Sequence, residues 1–171
     1  MEEEKNLLNE IASGGYDASD RPFDFVATDA ETALICEPDE NVRVKLESAL
    51  KEMGYQTTLA ASARDALKNM RFHLFDVVVV NENFDPSAPD RNDVLAYLET
   101  LAMSTRRQIF VALVSDKYRT MDNMAAFNKS VNIVINLKNI DNAATILRGA
   151  VADNAAFYHV MKDILKKMGR I

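Results

Sequence analysis

The feature that most constrains this chain is a run of four valines, 77–80, that lies between Asp76 and Asn81. β-branched side chains suit the pleated backbone of a strand, and the run leaves no alternate position for a solvent-facing polar residue. Such a strand is typical of the middle of a parallel sheet that helices cover on both faces. Ligands bind at the carboxyl edge of open parallel sheets, so Asn81, where the valines end, is the first candidate for a functional residue.

Apolar strand patterns and amphipathic helix patterns alternate from Thr32 onward. The helix patterns repeat apolar side chains every three or four residues, and turn-forming residues separate the segments. The predicted strands are the valine run and residues 32–36, 56–60, 109–114 and 131–135, and the predicted helices are 38–53, 62–72, 93–103, 121–127 and a long last helix from 141. Five strands that alternate with five helices predict an α/β fold with a doubly wound parallel sheet and right-handed crossovers.

Composition and charge narrow the possible partners. The 171 residues carry a net charge of -6 with both signs interspersed, which offers a nucleic-acid backbone no broad basic surface. No run of about 18 apolar residues occurs and the N-terminus is acidic, so neither a membrane span nor a secretion signal is predicted. The single cysteine, Cys36, argues against a disulfide framework or a cysteine-rich metal site. We expect a cytoplasmic protein with no nucleic-acid or membrane partner.

Two extensions flank the predicted α/β domain. Residues 1–31 are predicted to form a short helix and a linker, residues 32–152 the domain itself, and residues 153–171 a helical extension. The last helix carries an apolar stripe made of Phe157, Met161, Ile164, Leu165 and Met168. An apolar stripe outside the sheet is expected to pack against another segment, and two candidates for that segment remain open from the sequence. One is the N-terminal segment with Leu7, Leu8 and Ile11, and the other is a second copy of the chain in a homodimer.

Residues 32–152 contain six short motifs: ALICEPDENVR at 33–43, GY at 54–55, AASARDAL at 60–67, FDVVVV at 75–80, VS at 114–115 and KNID at 138–141. In their order and spacing these motifs resemble the response-regulator receiver domain of bacterial two-component signalling. The resemblance implies a flavodoxin-like sheet of five parallel strands in the order 2-1-3-4-5.

The resemblance fails at the residues that carry the family's chemistry. In receiver domains a carboxylate at the end of the third strand accepts the phosphoryl group, because an ionised oxygen is needed for the attack. The matching residue here is Asn81, and an amide is a poor nucleophile. The family also binds Mg²⁺ through two acids after the first strand, whereas Glu37 is followed here by Pro38, which has no side-chain oxygen. We therefore expect a degenerate receiver, or pseudo-receiver, with no bound metal or cofactor.

The supporting positions of the family are mixed. Ser115 matches the hydroxyl that hydrogen-bonds the phosphoryl group. The family's lysine is matched by Lys138 if the motif sets the alignment and by Leu137 if the fifth strand does, and Asn139 replaces the usual proline. No aromatic residue lies within 131–140 to report phosphorylation. The predicted degenerate phosphoacceptor pocket, which has no catalytic residue, consists of Glu37, Pro38, Asn81, Ser115 and Lys138.

Plain structural roles compete with each of these assignments. Asn81 and Ser115 can simply hydrogen-bond the backbone where their strands end, since buried polar groups usually have hydrogen-bond partners. The long loop 82–92 borders the pocket, and its carboxylates Glu82 and Asp85 are either substitute acceptors or solvated groups. A cluster of cations near the fourth strand is either a solvated rim or a site for an anionic partner: Arg106, Arg107, Lys117 and Arg119.

Three functions remain open from the sequence, in decreasing order of support. The first is a phosphorylation-independent protein-interaction module in bacterial signalling, which is not an enzyme. The second is a sensor of a small anion or nucleotide that uses the altered pocket. The third is a conventional phosphorelay response regulator.

Overall fold

The computed structural model describes residues 30–85 and 91–170. Its centre is a five-stranded parallel sheet in the order β2-β1-β3-β4-β5, as the sequence predicts. The strands are β1 (Thr32–Cys36), β2 (Gln56–Leu59), β3 (Val77–Asn81), β4 (Phe110–Ser115) and β5 (Ile133–Asn136). The valines of β3 are buried on both faces between β1 and β4, which explains why that strand contains no alternating polar residue.

Helices cover both faces of the sheet. They are α1 (Glu40–Glu52), α2 (Ala63–Phe72), α3 (Asp93–Thr100), α4 (Met103–Arg106), α5 (Asn123–Asn128) and α6 (Ala143–Lys167), with a 3-10 helix (Leu137–Asn142) directly before α6. One apolar cluster joins α1 and α6 to the sheet, and a second joins α2, α3 and α5 to its other face. The predicted doubly wound architecture is confirmed.

Polar side chains cap the first two helices at their amino ends. Asp39 accepts hydrogen bonds from the backbone N–H groups of Asn41 and Val42 at the start of α1, and Ser62 accepts one from Asp65 at the start of α2. Gly54, which follows α1, has a φ of +93°, a conformation that a residue with a Cβ rarely adopts. These local signals position the turns that lead into β2 and α2.

Several element boundaries differ from the sequence prediction. The predicted helix 93–103 is wrong in its last turn, because Leu101 adopts an extended conformation and a separate helix begins at Met103. The fifth strand begins at Ile133 rather than at 131, after Ser130 with a φ of 56°. The predicted helix 121–127 begins later, since Asp122 is its N-cap. The helix predicted from 141 begins as a 3-10 turn at Leu137.

The last helix, α6, extends past the sheet. The side-chain amide of Asn132, the residue before β5, donates to Asn154 Oδ1 at 3.2 Å, so Asn154 lies level with the amino edge of the strands. The helix continues without a break through the predicted boundary at 152 and ends at Lys167. Within the described residues, no helix is both long enough and apolar enough to cross a bilayer. The predicted N-terminal helix and linker lie outside the described residues, and the domain boundaries stay predictions.

Candidate functional site

The strands end in a row of polar side chains at the carboxyl edge of the sheet. Glu37 directly follows β1, Asn81 ends β3, Ser115 ends β4 and Asn136 ends β5. The register places Cys36 beside Val80, Asn81 beside Val114 and Ser115 beside Asn136. Strand topology therefore brings residues that are far apart in the sequence to one edge, where ligands of such sheets bind.

Glu37 is buried and fully engaged. Its side chain is 1% exposed, Oε2 accepts from Asn81 Nδ2 at 2.8 Å and Oε1 accepts from the Asp39 N–H at 2.9 Å. Burial raises the pKa of this carboxyl, and the two hydrogen bonds oppose that shift by favouring the ionised form. The carboxylate is thus held by two nitrogen donors at this edge of the sheet.

Asn81 uses both ends of its amide within the protein. Its Nδ2 donates to Glu37, while Oδ1 accepts from the Asn83 N–H at 2.8 Å. The backbone carbonyls of Asn81 and Glu82 both accept from Asn92 Nδ2, at 3.0 and 3.2 Å. Asn92 also caps α3 through its Oδ1, so one side chain ties the end of β3 to the start of that helix.

Ser115 is bonded to Glu82 rather than to Glu37 or Asn81. Its hydroxyl donates to Glu82 Oε2 at 2.7 Å and accepts from the Lys117 N–H at 3.1 Å. The other carboxylate oxygen of Glu82 lies 3.8 Å from Lys117 Nζ and 3.6 Å from Lys129 Nζ. The Lys129 ammonium also lies 5.7 Å from the centre of the Tyr118 ring. Glu82, Ser115, Lys117 and Lys129 therefore form a second polar cluster, in which two cations face one carboxylate.

Neither predicted lysine match lies at the end of β5. That position holds Asn136, whose Nδ2 donates to the Tyr118 carbonyl at 2.7 Å. Lys138 is exposed in the 3-10 helix, and its N–H donates to Asn136 Oδ1. Leu137 also lies beyond the strand and packs on the α1 and α6 side. Lys138 therefore lies beyond the end of β5, in the 3-10 helix, and not at the strand end itself.

Mg²⁺ fits these residues poorly. The cation needs several oxygen ligands in octahedral geometry. Both oxygens of Glu37 already accept from N–H donors, the amide nitrogen of Asn81 points at them, and Pro38 is exposed without a side-chain oxygen. Across residues 30–85 and 91–170, no three His, Cys, Asp or Glu side chains are grouped so that they could hold a metal ion.

The other candidate residues have structural roles or lie elsewhere. Arg106 donates to the carbonyls of Ile109 at 2.8 Å and Ser130 at 2.7 Å, so this cation of the predicted cluster holds loops together. Complete burial raises the pKa of the Cys36 thiol, which keeps it protonated and unreactive. His73 lies at the amino edge of the sheet, where Nε2 is 2.7 Å from Thr32 Oγ1.

Sequence reasoning missed two residues of this edge and underrated a third. Asn136 and Asn92 were not considered as site residues. Asparagine often accepts a hydrogen bond from the backbone two residues on or caps the start of a helix, so both positions carried a recognisable signal. Glu82 was considered only as a substitute acceptor. Its bond to Ser115 depends on the distance between β3 and β4, which no local pattern reveals.

Comparison with solved structures confirms the receiver-domain fold. The chain is similar to the receiver domain of a response regulator from Methylobacillus flagellatus, with 21% identity, a TM-score of 0.53, and coverage of 71% of this chain and 98% of that chain. A receiver-domain protein from Methanospirillum hungatei has 18% identity and a TM-score of 0.56, with 74% and 98% covered. The chemotaxis response regulator of Vibrio cholerae has 15% identity and a TM-score of 0.55, with 71% and 98% covered. No protein-family model and no curated protein sequence matches the chain.

Proposed function

We propose that this chain is a pseudo-receiver that binds a protein partner in bacterial cytoplasmic signalling without aspartyl phosphorylation, and that it is not an enzyme. The hydrogen bond between Asn81 and Glu37 carries the proposal. At this edge of the sheet a receiver would need a free nucleophilic oxygen and metal ligands. The edge instead holds an amide and a carboxylate that are hydrogen-bonded to each other.

The state of Ser115 supports the same conclusion. A phosphoryl group would need the hydroxyl of this residue, but the Ser115 Oγ already donates to the carboxylate of Glu82 at 2.7 Å. An incoming dianion would also be repelled by the carboxylate of Glu37, which Asn81 contacts directly. The carboxylate of Glu82 therefore holds Ser115 at the start of the β4–α5 loop.

A groove on another face offers a surface for a protein. Its volume is about 750 Å³ and it lies between α4 and α5. Met103 and Phe127 on its walls are 63% and 78% exposed, and Arg107 is exposed at the same place. Large exposed apolar side chains beside a cation suit a peptide segment that pairs apolar anchors with a carboxylate.

Phosphorylation chemistry tests the first half of the proposal. The wild-type chain is incubated with Mg²⁺ and acetyl phosphate, or with beryllofluoride, beside an aspartate-containing receiver domain as the positive control. We expect no acid-labile phosphate by intact mass and no shift of the melting temperature. Stoichiometric phosphate on this chain, or saturable beryllofluoride binding, would overturn the proposal.

Partner capture tests the second half. Wild type, Phe127→Asp and the matched control Val44→Asp, which changes an exposed valine of α1, are used as baits at equal concentration. We expect a partner whose binding is lost with Phe127→Asp, kept with Val44→Asp and independent of acetyl phosphate. A partner that binds all three baits equally, or only after phosphate treatment, contradicts the assignment.

The anion-sensor alternative receives less support from the geometry. It needs Glu37, Asn81, Ser115 and Lys138 to converge on one ligand. The first two bond each other, Ser115 bonds Glu82, and Lys138 is exposed beyond the end of β5. A nucleotide that raises the melting temperature of wild type, but not of Lys138→Ala, would revive it.

A further inference from the structure

The part of α6 that extends past the sheet has an exposed apolar face, which we call the α6 stripe. It consists of Phe157, Val160, Ile164 and Met168, which are 80%, 68%, 52% and 56% exposed. At 100° per residue these four side chains fall within about 80° of one another around the helix axis. Covering these four side chains would remove apolar surface from water, which favours an occupant for the α6 stripe.

The chain enters the domain at the same edge of the sheet from which this part of α6 projects. Asn154 bonds Asn132 at the amino edge of the strands, and the α6 stripe begins three residues later. β1 begins at Thr32 on that edge and lies two strands from β4 in the sheet. Adjacent strands are about 4.8 Å apart, so roughly 10–14 Å separates β1 from β4 and β5, the two strands over which α6 packs.

The area of the α6 stripe argues against a stable dimer through this surface alone. From Phe157 to Met168 a helix rises about 17 Å, and one face is about 10 Å wide, which gives an area on the order of 200 Å². Stable protein interfaces use about 800 Å² on each partner. A segment of the same chain needs far less area, because a short linker holds it at an effective concentration in the millimolar range.

Charge selects a particular segment. Residues 157–170 carry four basic side chains and one acidic one, so two copies of this region would repel each other. Residues 1–12 carry four glutamates and one lysine, together with the apolar residues Leu7, Leu8 and Ile11. Residues 13–31, which connect this segment to β1, have ample length to reach, since a flexible chain of that size spans roughly 24 Å on average.

We propose that the α6 stripe is the docking site for residues 1–12 of the same chain, with Leu7, Leu8 and Ile11 on the apolar face and glutamates beside Lys167, which borders the stripe next to Val160. The contact covers an apolar surface that would otherwise meet water. Tyr158 of α6 lines the neighbouring α4–α5 groove, but none of the four stripe residues does, so Ile164→Lys tests this contact and Phe127→Asp tests the proposed function separately.

Paramagnetic broadening tests the contact in the full chain. Asn9→Cys is labelled with a nitroxide, while Cys36 stays unmodified because it is completely buried. In a dilute sample of labelled ¹⁵N chain, we expect the amide signals of residues 157–168 to lose most of their intensity. In an equimolar mixture of unlabelled ¹⁵N wild type with nitroxide-labelled ¹⁴N chain, we expect no loss.

Two variants sharpen the result. Ile164→Lys changes an exposed stripe residue and should restore the intensities, whereas Val44→Lys, an exposed valine on α1, should leave the broadening unchanged. Broadening should also weaken at 1 M salt, where charges are screened within about 3 Å. Loss of intensity only in the mixed sample would assign the stripe to a second copy. Absence of broadening at residues 157–168 in both samples, or broadening that survives Ile164→Lys, would likewise overturn the proposal.

Discussion

Asn81 donates a 2.8 Å hydrogen bond to the buried carboxylate of Glu37 at the carboxyl edge of the sheet. The two residues are 44 positions apart, and each comes from the end of a central strand. A neutral donor beside a buried carboxylate satisfies that group without a cation.

Asn81→Asp should destabilise the protein at neutral pH. The new carboxylate removes the donor and places a like charge against Glu37, so we expect the free energy of unfolding to fall by about 1–3 kcal/mol. Millimolar Mg²⁺ should return part of that loss, because two facing acids provide oxygen ligands. Urea unfolding with and without Mg²⁺ measures both effects.

The matched control is Asn83→Asp, which adds the same charge at an exposed position two residues away. Its free energy of unfolding should change by no more than about 0.5 kcal/mol. If Asn81→Asp equals wild type at pH 8 without Mg²⁺, the Glu37–Asn81 contact contributes nothing to stability.

Glu37 should give the wild type a stability that declines as pH rises through the mildly acidic range. Burial raises the folded-state pKa of this carboxyl above its ordinary value of 4.5. Between those two values the folded state binds more protons than the unfolded state, so the free energy of unfolding falls with increasing pH. Urea unfolding at closely spaced pH values should show this slope in wild type and its absence in Glu37→Gln. An equal slope in both proteins would show that another group titrates.

His73 should act in the opposite direction. Burial lowers the folded-state pKa of the imidazole below its ordinary value of 6.5, and the nearby Asp76 carboxylate opposes the shift. Below 6.5 the unfolded state therefore binds more protons, and the free energy of unfolding falls as pH decreases through that window. Thermal unfolding of His73→Gln between about pH 5 and pH 7 should lack this loss, since that side chain does not titrate. A His73→Gln profile parallel to wild type contradicts the prediction.

Ser115→Ala should cost more stability than Glu82→Gln. The alanine removes the hydroxyl that donates to Glu82 and accepts from the Lys117 N–H, so we expect a loss of about 1–3 kcal/mol. The glutamine keeps an acceptor for Ser115 and weakens only the pairs with two lysines, which should cost less than about 1 kcal/mol. Denaturant midpoints of the two variants decide the order. Equal or reversed costs would show that the carboxylate charge, rather than the hydroxyl, holds the β4–α5 loop.

Asn92→Ala should loosen the joint between β3 and α3. Its side chain caps α3 and donates to the carbonyls of Asn81 and Glu82, so the loss should be about 1–3 kcal/mol. Asn92→Asp is the informative comparison, because aspartate keeps the cap acceptor but lacks the donor. Hydrogen exchange of the α3 amides should increase in the alanine variant and much less in the aspartate variant. Equal exchange in both would assign the stabilisation to the donor alone.

Local patterns were sufficient for the architecture and for some parts of the site. The valine run, the caps at Asp39 and Ser62 and the glycine at 54 all act within a few residues, so their structural consequences are readable from the sequence. The break at Leu101 was missed because the apolar spacing continues through it, and only the backbone shows that the helix ends at Thr100. The sequence left Lys138 and Leu137 open for a related reason, since the end of β5 is set by its pairing with β4.

The sequence by itself determined the alternation of strands and helices and the chemical character of the strand ends, because hydrophobic periodicity and side-chain type are local properties. The strand order was implied by the resemblance to receiver domains. Only the tertiary structure decided which polar groups meet. Glu37 bonds Asn81, and Ser115 bonds Glu82, because the distances between neighbouring strand ends allow those pairs and the turn after β5 carries Lys138 away. Hydrogen bonds act over about 3 Å, a length that strand packing controls and that residue spacing along a chain does not encode.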